Sequence, residues 1–228
     1  MKKIVLLLMI GVFSAQSAII TFNFNGTNPG QNSPWNTGTT IDPDASDGNG
    51  FALGGGTTGT AANNRFDATH WGTSTESAAL TGNNYFGFVL TIGSDYAANL
   101  DNAQITFTLQ SSYTGSSGTG PQDYALFSSS DGFTVGNELQ SGTIANTENL
   151  TYTFASSGLE NETGNIEFRA YGWGATSTAG TMSINAFSLG GTISAVPEPA
   201  TWGAISAFGL LGICGLREWR QRKQAQGA

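Results

Sequence analysis

The chain has 228 residues, and its 16 acidic and 8 basic side chains leave a formal charge of −8. Lys2, Lys3, Arg217, Arg220, Arg222 and Lys223 lie at the two ends, so Arg65 and Arg169 are the only basic residues between Ala18 and Val196. A middle that acidic repels phosphate backbones and anionic lipid, which argues against nucleic acid as a partner and leaves cations and neutral polymers.

Met1 to Ala18 opens with Lys2-Lys3, continues through the apolar run Ile4 to Phe13 and closes on small polar residues. This pattern predicts a secretory signal peptide over residues 1–17, with Ala15 and Ser17 as the small residues before the cut. An uncleaved anchor is the competing reading, but the apolar run is short for a membrane span.

Residues 18–195 are long enough for one domain with a dry core. They hold most of the 32 Gly along with abundant Thr, Ser and Asn, a composition that suits turns and strands and predicts almost no helix. Ile20, Phe22 and Phe24 alternate with Thr21, Asn23 and Asn25, and Asn25-Gly26 supplies a turn. Next comes the acidic loop Asp42-Pro43-Asp44-Ala45-Ser46-Asp47-Gly48. Its Asp42, Asp44 and Asp47 offer the oxygen density calcium needs, although Ser46 and Leu53 depart from the calcium-loop spacing and a solvated acidic turn is the simpler reading. No cofactor other than calcium is suggested.

Tyr85 to Ile92 reads as a strand, as do the stretches carrying Ile105, Phe107 and Leu109, then Tyr124 to Ser128, Leu150-Tyr152-Phe154 and Ile166-Phe168-Ala170. A last strand places Met182 and Ile184 inward, and its phase shifts near Ala186 to Phe187 and Leu189, which predicts a β-bulge. Glycine-rich loops separate the strands and no βαβ rhythm appears, so the predicted fold is all-β: a single jelly-roll-like antiparallel β-sandwich. The late stretches IEFRAYGWG and TMSINAFSLGG are similar to the closing strands of many exported jelly-roll modules, carbohydrate-binding ones included.

Aromatic residues near His70-Trp71 and Tyr171-Gly172-Trp173, with Trp35 as an addition, are candidates for stacking on sugar rings; a place in the core is the alternative. Trp71, Tyr171 and Trp173 are the named glycan candidates. Thr106/Thr108 and Thr151/Thr153 are Thr-x-Thr pairs, read as two isolated pairs on wet strand faces. Glu160, Glu162 and Glu167 offer carboxylates for glycoside hydrolysis, but any acidic domain does so by chance. The lone His has no Cys partner in the domain, and no G-x-S-x-G elbow, H-E-x-x-H helix or P-loop lysine is present, so the expectation is that the protein is not an enzyme.

The C-terminal end reads Val196-Pro197-Glu198-Pro199, then an apolar run from Ala200 to Leu216 that holds the one cysteine, Cys214, then Arg217, Arg220, Arg222 and Lys223 as a basic stop. As a helix the run spans about 25 Å against a hydrocarbon core of about 30 Å, and Trp202 and Trp219 bracket it. The prediction is a transmembrane span over 200–216, a cytoplasmic tail over 224–228 and the middle outside. The two prolines keep the segment before the span extended and open to a protease.

That order of VPEP, short apolar span and Arg-rich end resembles the PEP-CTERM sorting signal of exopolysaccharide-producing Gram-negative bacteria, also catalogued as the ice-binding protein C-terminal motif. The resemblance covers residues 196–223, and Glu218 departs from it by interrupting the arginines. It implies that an exosortase, a membrane-embedded cysteine transpeptidase, cuts near Pro197-Glu198-Pro199 and passes the protein to the envelope or extracellular matrix. The functional expectation is an exported, non-enzymatic surface or matrix protein, anchored by its C-terminal helix before processing. A carbohydrate-binding module at the cell surface or in exopolysaccharide is the alternative.

Overall fold

The computed structural model describes residues 17–112, 118–144, 146–154 and 159–196. The signal peptide, Pro197 to Pro199, the 200–216 run and the basic stop lie outside the described residues. Within them, no helix is long and apolar enough to cross a membrane.

In chain order the strands are β1 (Ala18–Asn23), β2 (Thr40–Ile41), β3 (Ala45–Ser46), β4 (Ala52–Leu53), β5 (Thr58–Gly59) and β6 (Phe66–Thr69). After the helix α1 (Glu76–Gly82) come β7 (Tyr85–Ile92), β8 (Tyr96–Asn99), β9 (Gln104–Ser111), β10 (Asp123–Ser128) and β11 (Gln140–Thr143). The last four are β12 (Thr147–Thr153), β13 (Asn165–Trp173), β14 (Met182–Gly190) and β15 (Thr192–Ala195). One sheet runs β12-β9-β14-β1-β2, with β6 also paired to β14 and β5 to β6. The second runs β11-β10-β13-β7-β3, with β4 on β7, and β15 pairs with β8.

The two large sheets are antiparallel and share one core, as a sandwich requires. Alternation sends Phe22, Phe107 and Phe187 inward from the first sheet and Phe86, Phe88 and Phe168 from the second. The layers meet edge to face: Phe88 lies 5.0 Å from Phe22 and 4.9 Å from Phe187, both at steep interplanar angles. Each such ring contributes about 1.5–3 kcal/mol by leaving water, and the tilted contacts add to that.

The expected bulge is present, and the sheet explains its position. β14 uses Met182 to Ile184 to pair with β6 and Ala186 to Gly190 to pair with β1, so two strands share one edge of it end to end. Its register against β9 shifts between Ile184 and Phe187, where the partner changes.

The expectation of almost no helix holds among the described residues, where α1 is the one short helix, although its position was not read from the sequence. Thr75 caps it by accepting from the Ala78 N–H at 3.3 Å, and Asn83 ends it in the left-handed region at φ 55°. Seven residues are too few for helical periodicity to show in the sequence, so the cap-and-stop pair Thr75 and Asn83 was the only local signal. The helix covers part of the outer face of the second sheet, where Ala79, Ala125, Phe127 and Tyr171 form a second, smaller core.

Candidate functional site

The three aromatic residues expected to stack on sugars do not form one platform. Trp71 is fully buried, donates its indole N–H to the Ala68 carbonyl at 2.7 Å and packs edge-on against Phe86 in the inter-sheet core. Tyr171 and Trp173 lie on the opposite side of the second sheet, because β13 alternates Ile166, Phe168 and Ala170 inward with Glu167, Arg169, Tyr171 and Trp173 outward. Tyr171 is buried there, and half-buried Trp173 packs on its cluster. Trp35 is also buried, with its indole N–H donated to the Asn23 carbonyl. A ring spent on packing has no face left for a ligand, which corrects the reading of Trp71 and Tyr171 as glycan contacts.

Arg169, one of two basic residues in the middle of the chain, organises this outer cluster. Its Nε and Nη2 donate to the two Glu167 oxygens at 2.7 and 2.9 Å, its Nη1 donates to the Tyr171 hydroxyl, and its flat guanidinium lies over the rings of Tyr85 and Phe133. Burial works against the charge, but the bonds to Glu167 and Tyr171 outweigh it and raise the pKa of Arg169 further.

Asp42, Asp44 and Asp47 do not come together as a metal group: among the described residues no three His, Cys, Asp or Glu side chains do. Asp42 Oδ1 accepts from the Asp44 N–H, and the Asp47 carbonyl accepts from Gly50 N–H. Asp44 bonds the Tyr96 hydroxyl, a contact that raises the tyrosine pKa. These contacts make the segment a self-bonded turn, with the Asp42 carboxylate turned to the Asp44 amide and the Asp44 carboxylate to Tyr96.

The Thr-x-Thr pairs, read as isolated, belong to one array. Thr151 opposes Thr106, Thr106 opposes Ser188, Ser188 opposes Thr21, and Thr21 opposes Thr40. A single register line therefore carries a hydroxyl on each of β12, β9, β14, β1 and β2, on the face turned away from the core. The neighbouring line, Leu150, Phe107, Phe187 and Phe22, is its apolar counterpart facing in. Next to the hydroxyl line, Thr108 donates to Asn149 Oδ1 at 2.8 Å, and a shallow depression of about 210 Å³ lies along the line itself, lined by Thr21, Ser188, Thr106 and Thr151 with Ala186 of the bulge.

No family model matches the chain. No curated protein matches it either. Among solved structures it is similar to the K3 cleaved adhesin domain of Lys-gingipain from Porphyromonas gingivalis w83, at 16% identity over 76% of this chain and 98% of that one, with a TM-score of 0.38. It is also similar to the carbohydrate-binding module CBM36 in complex with calcium and xylotriose, at 14% identity over 46% of this chain and 71% of that one, TM-score 0.27. A cyclase from Fischerella sp. TAU aligns at 13% identity over 78% of this chain and the whole of that one, TM-score 0.28.

The glutamates considered for hydrolysis have separate partners. Glu167 is held at both oxygens by Arg169, Glu160 sits at the surface beside Asp101, which raises its pKa, and Glu162 joins Ala98 in an isolated backbone bridge.

Proposed function

We propose that the chain is an exported, non-enzymatic surface or extracellular-matrix protein whose body is a jelly-roll-like module and whose C-terminus is a PEP-CTERM signal read by an exosortase-like enzyme. The observation that carries this reading is where the strands begin and end. β1 starts at Ala18, directly after the expected signal-peptide cut, and β15 ends at Ala195, directly before Val196, which is 47% exposed. Cuts after Ser17 and near Glu198 would spare every strand among the described residues. Proteases need extended, accessible chain, and the expected cut after Ser17 falls before the first paired residue, Ala18.

Intact-mass measurement of the protein recovered from its host tests the reading. Termini near Ala18 and Glu198 are expected; a product that retains Arg217 to Ala228 would overturn the sorting role. Carbohydrate binding by the same exported body is a second reading, supported by the uncharged hydroxyl line across the first sheet in an otherwise acidic body.

A further inference from the structure

We infer that the outer face of the first sheet, along Thr40, Thr21, Ser188, Thr106 and Thr151, is a binding surface for a neutral polysaccharide chain. The inference rests on the carbohydrate-binding reading and gives it a location that excludes the buried aromatics.

Charge selects the occupant. The five positions carry no ionisable group, whereas the body around them is strongly acidic. An anionic polymer is repelled by the surroundings, and a cationic one gains more at the carboxylates elsewhere. A neutral polyol meets neither effect. A protein partner would want large apolar anchors, but the large apolar side chains most exposed among the described residues, Val135 and Val196, lie outside this face.

The chemistry of the face fits that occupant. Each hydroxyl both donates and accepts, as each sugar hydroxyl does, so every pairing can be satisfied in either sense. Five strands at about 4.8 Å spacing set the line over about 19 Å, long enough for a short run of sugar rings. Four of the five residues are threonine, whose branched side chain is stiff at χ1, so little rotamer freedom is lost on binding. Thr21 and Ser188 share a hydrogen bond of 3.2 Å, which orients this part of the line in advance. The depression lined by Thr21, Ser188, Thr106 and Thr151 of the line, with Thr108 and Asn149, gives the chain a seat along it.

The test is native affinity electrophoresis of the full chain in gels containing xylan, hydroxyethylcellulose, galactan or, as the anionic probe, alginate. Thr106→Glu places a charge within the line, next to its middle position Ser188, on an exposed strand position, and Thr151→Gln alters the edge strand without adding charge. Trp173→Ala alters the other sheet. Retardation by at least one neutral polymer is expected, reduced at least tenfold in Thr106→Glu and Thr151→Gln and unchanged in Trp173→Ala, with melting midpoints confirming that each variant folds. Retardation that survives in whichever face variants fold would overturn the location and leave the carbohydrate reading standing. Retardation by none of the neutral polymers, or by alginate alone, would overturn the proposal, and the first of these would remove the carbohydrate reading as well. Loss of a dimer in Thr106→Glu on gel filtration, with no effect of polymer, would assign the face to self-association and overturn it too.

Discussion

Arg169 grips Glu167 with two parallel hydrogen bonds, from Nε to Oε1 at 2.7 Å and from Nη2 to Oε2 at 2.9 Å, although the two residues are only two positions apart on one strand. Both point outward from β13, where period-two alternation brings i and i+2 to the same face. Arg169→Lys keeps the charge but loses the fork and the flat contact with Tyr85 and Phe133. Both side chains are partly exposed, which places the cost between that of surface and buried pairs, at about 1–2 kcal/mol. Urea unfolding monitored by tyrosine and tryptophan fluorescence measures it; an unchanged midpoint would mean that the cluster is held by its apolar contacts alone.

Glu76 and Glu138 make stability depend on pH. Burial, reinforced by the hydrogen bond and charge of Glu138, raises Glu76 to a pKa of about 7, while the Gly136 N–H and Glu76 hold Glu138 below its ordinary value. The folded state therefore keeps a proton on Glu76 that the unfolded chain has released. The contribution of Glu76 is complete below about 4.5 and is lost as the pH rises to about 7. Glu138 acts in the opposite sense: its contribution is present above the ordinary carboxylate range and lost as the pH falls through its lowered pKa. Glu76→Gln is expected to flatten the decline of the melting midpoint between pH 5 and pH 7, and a parallel decline in the variant would assign it to other groups.

The two tryptophans suggested for sugar stacking should respond very differently to truncation. Trp71→Ala empties a fully buried site and is expected to cost about 3–5 kcal/mol. Trp173→Ala removes a half-buried ring at the end of a strand and should cost about 1 kcal/mol. Thermal melting of both variants checks this, and near-equal losses would contradict the assignment of Trp71 to the inter-sheet core.

Gly30 tests how closely the early loop rests on β6. A Cβ at this position would lie 2.1 Å from the Asp67 carbonyl oxygen and 2.8 Å from its amide nitrogen, where no flexible side chain can give way. Asp67 is buried in the same place, bonded to the Thr60 hydroxyl, and burial raises its pKa. Gly30→Ala is expected to destabilise by about 2 kcal/mol or more. Chemical denaturation with the stability of the wild type would show that the loop can lift away without cost.

The seven described strands of six residues or more were legible, because alternation over that length leaves a direct trace: Ile105, Phe107 and Leu109 read as inward-facing and are buried, whereas the two- to four-residue strands such as β2, β11 and β15 left none. β14 was legible even at its bulge, since the inward phase jumps from Ile184 to Phe187. The acidic loop shows the opposite case. Asp42, Asp44 and Asp47 are close in sequence, but backbone turns and Tyr96 direct their side chains and carbonyls to different partners.

Alternation and composition were sufficient for an all-β chain with its longer strands in place, because both are local properties of the pleated backbone. They also suggest export and sorting signals at the two ends, since a leader or an anchor is recognised by the order of its parts. What covers each face was decided by contacts between residues distant along the chain. α1 and Phe133 close over Tyr171, the facing sheet encloses Trp71, and strand register joins Thr21, Thr106 and Thr151 into one line. A side chain's direction follows from its neighbours along the strand, but its solvent exposure and its partners depend on which segment is packed above it.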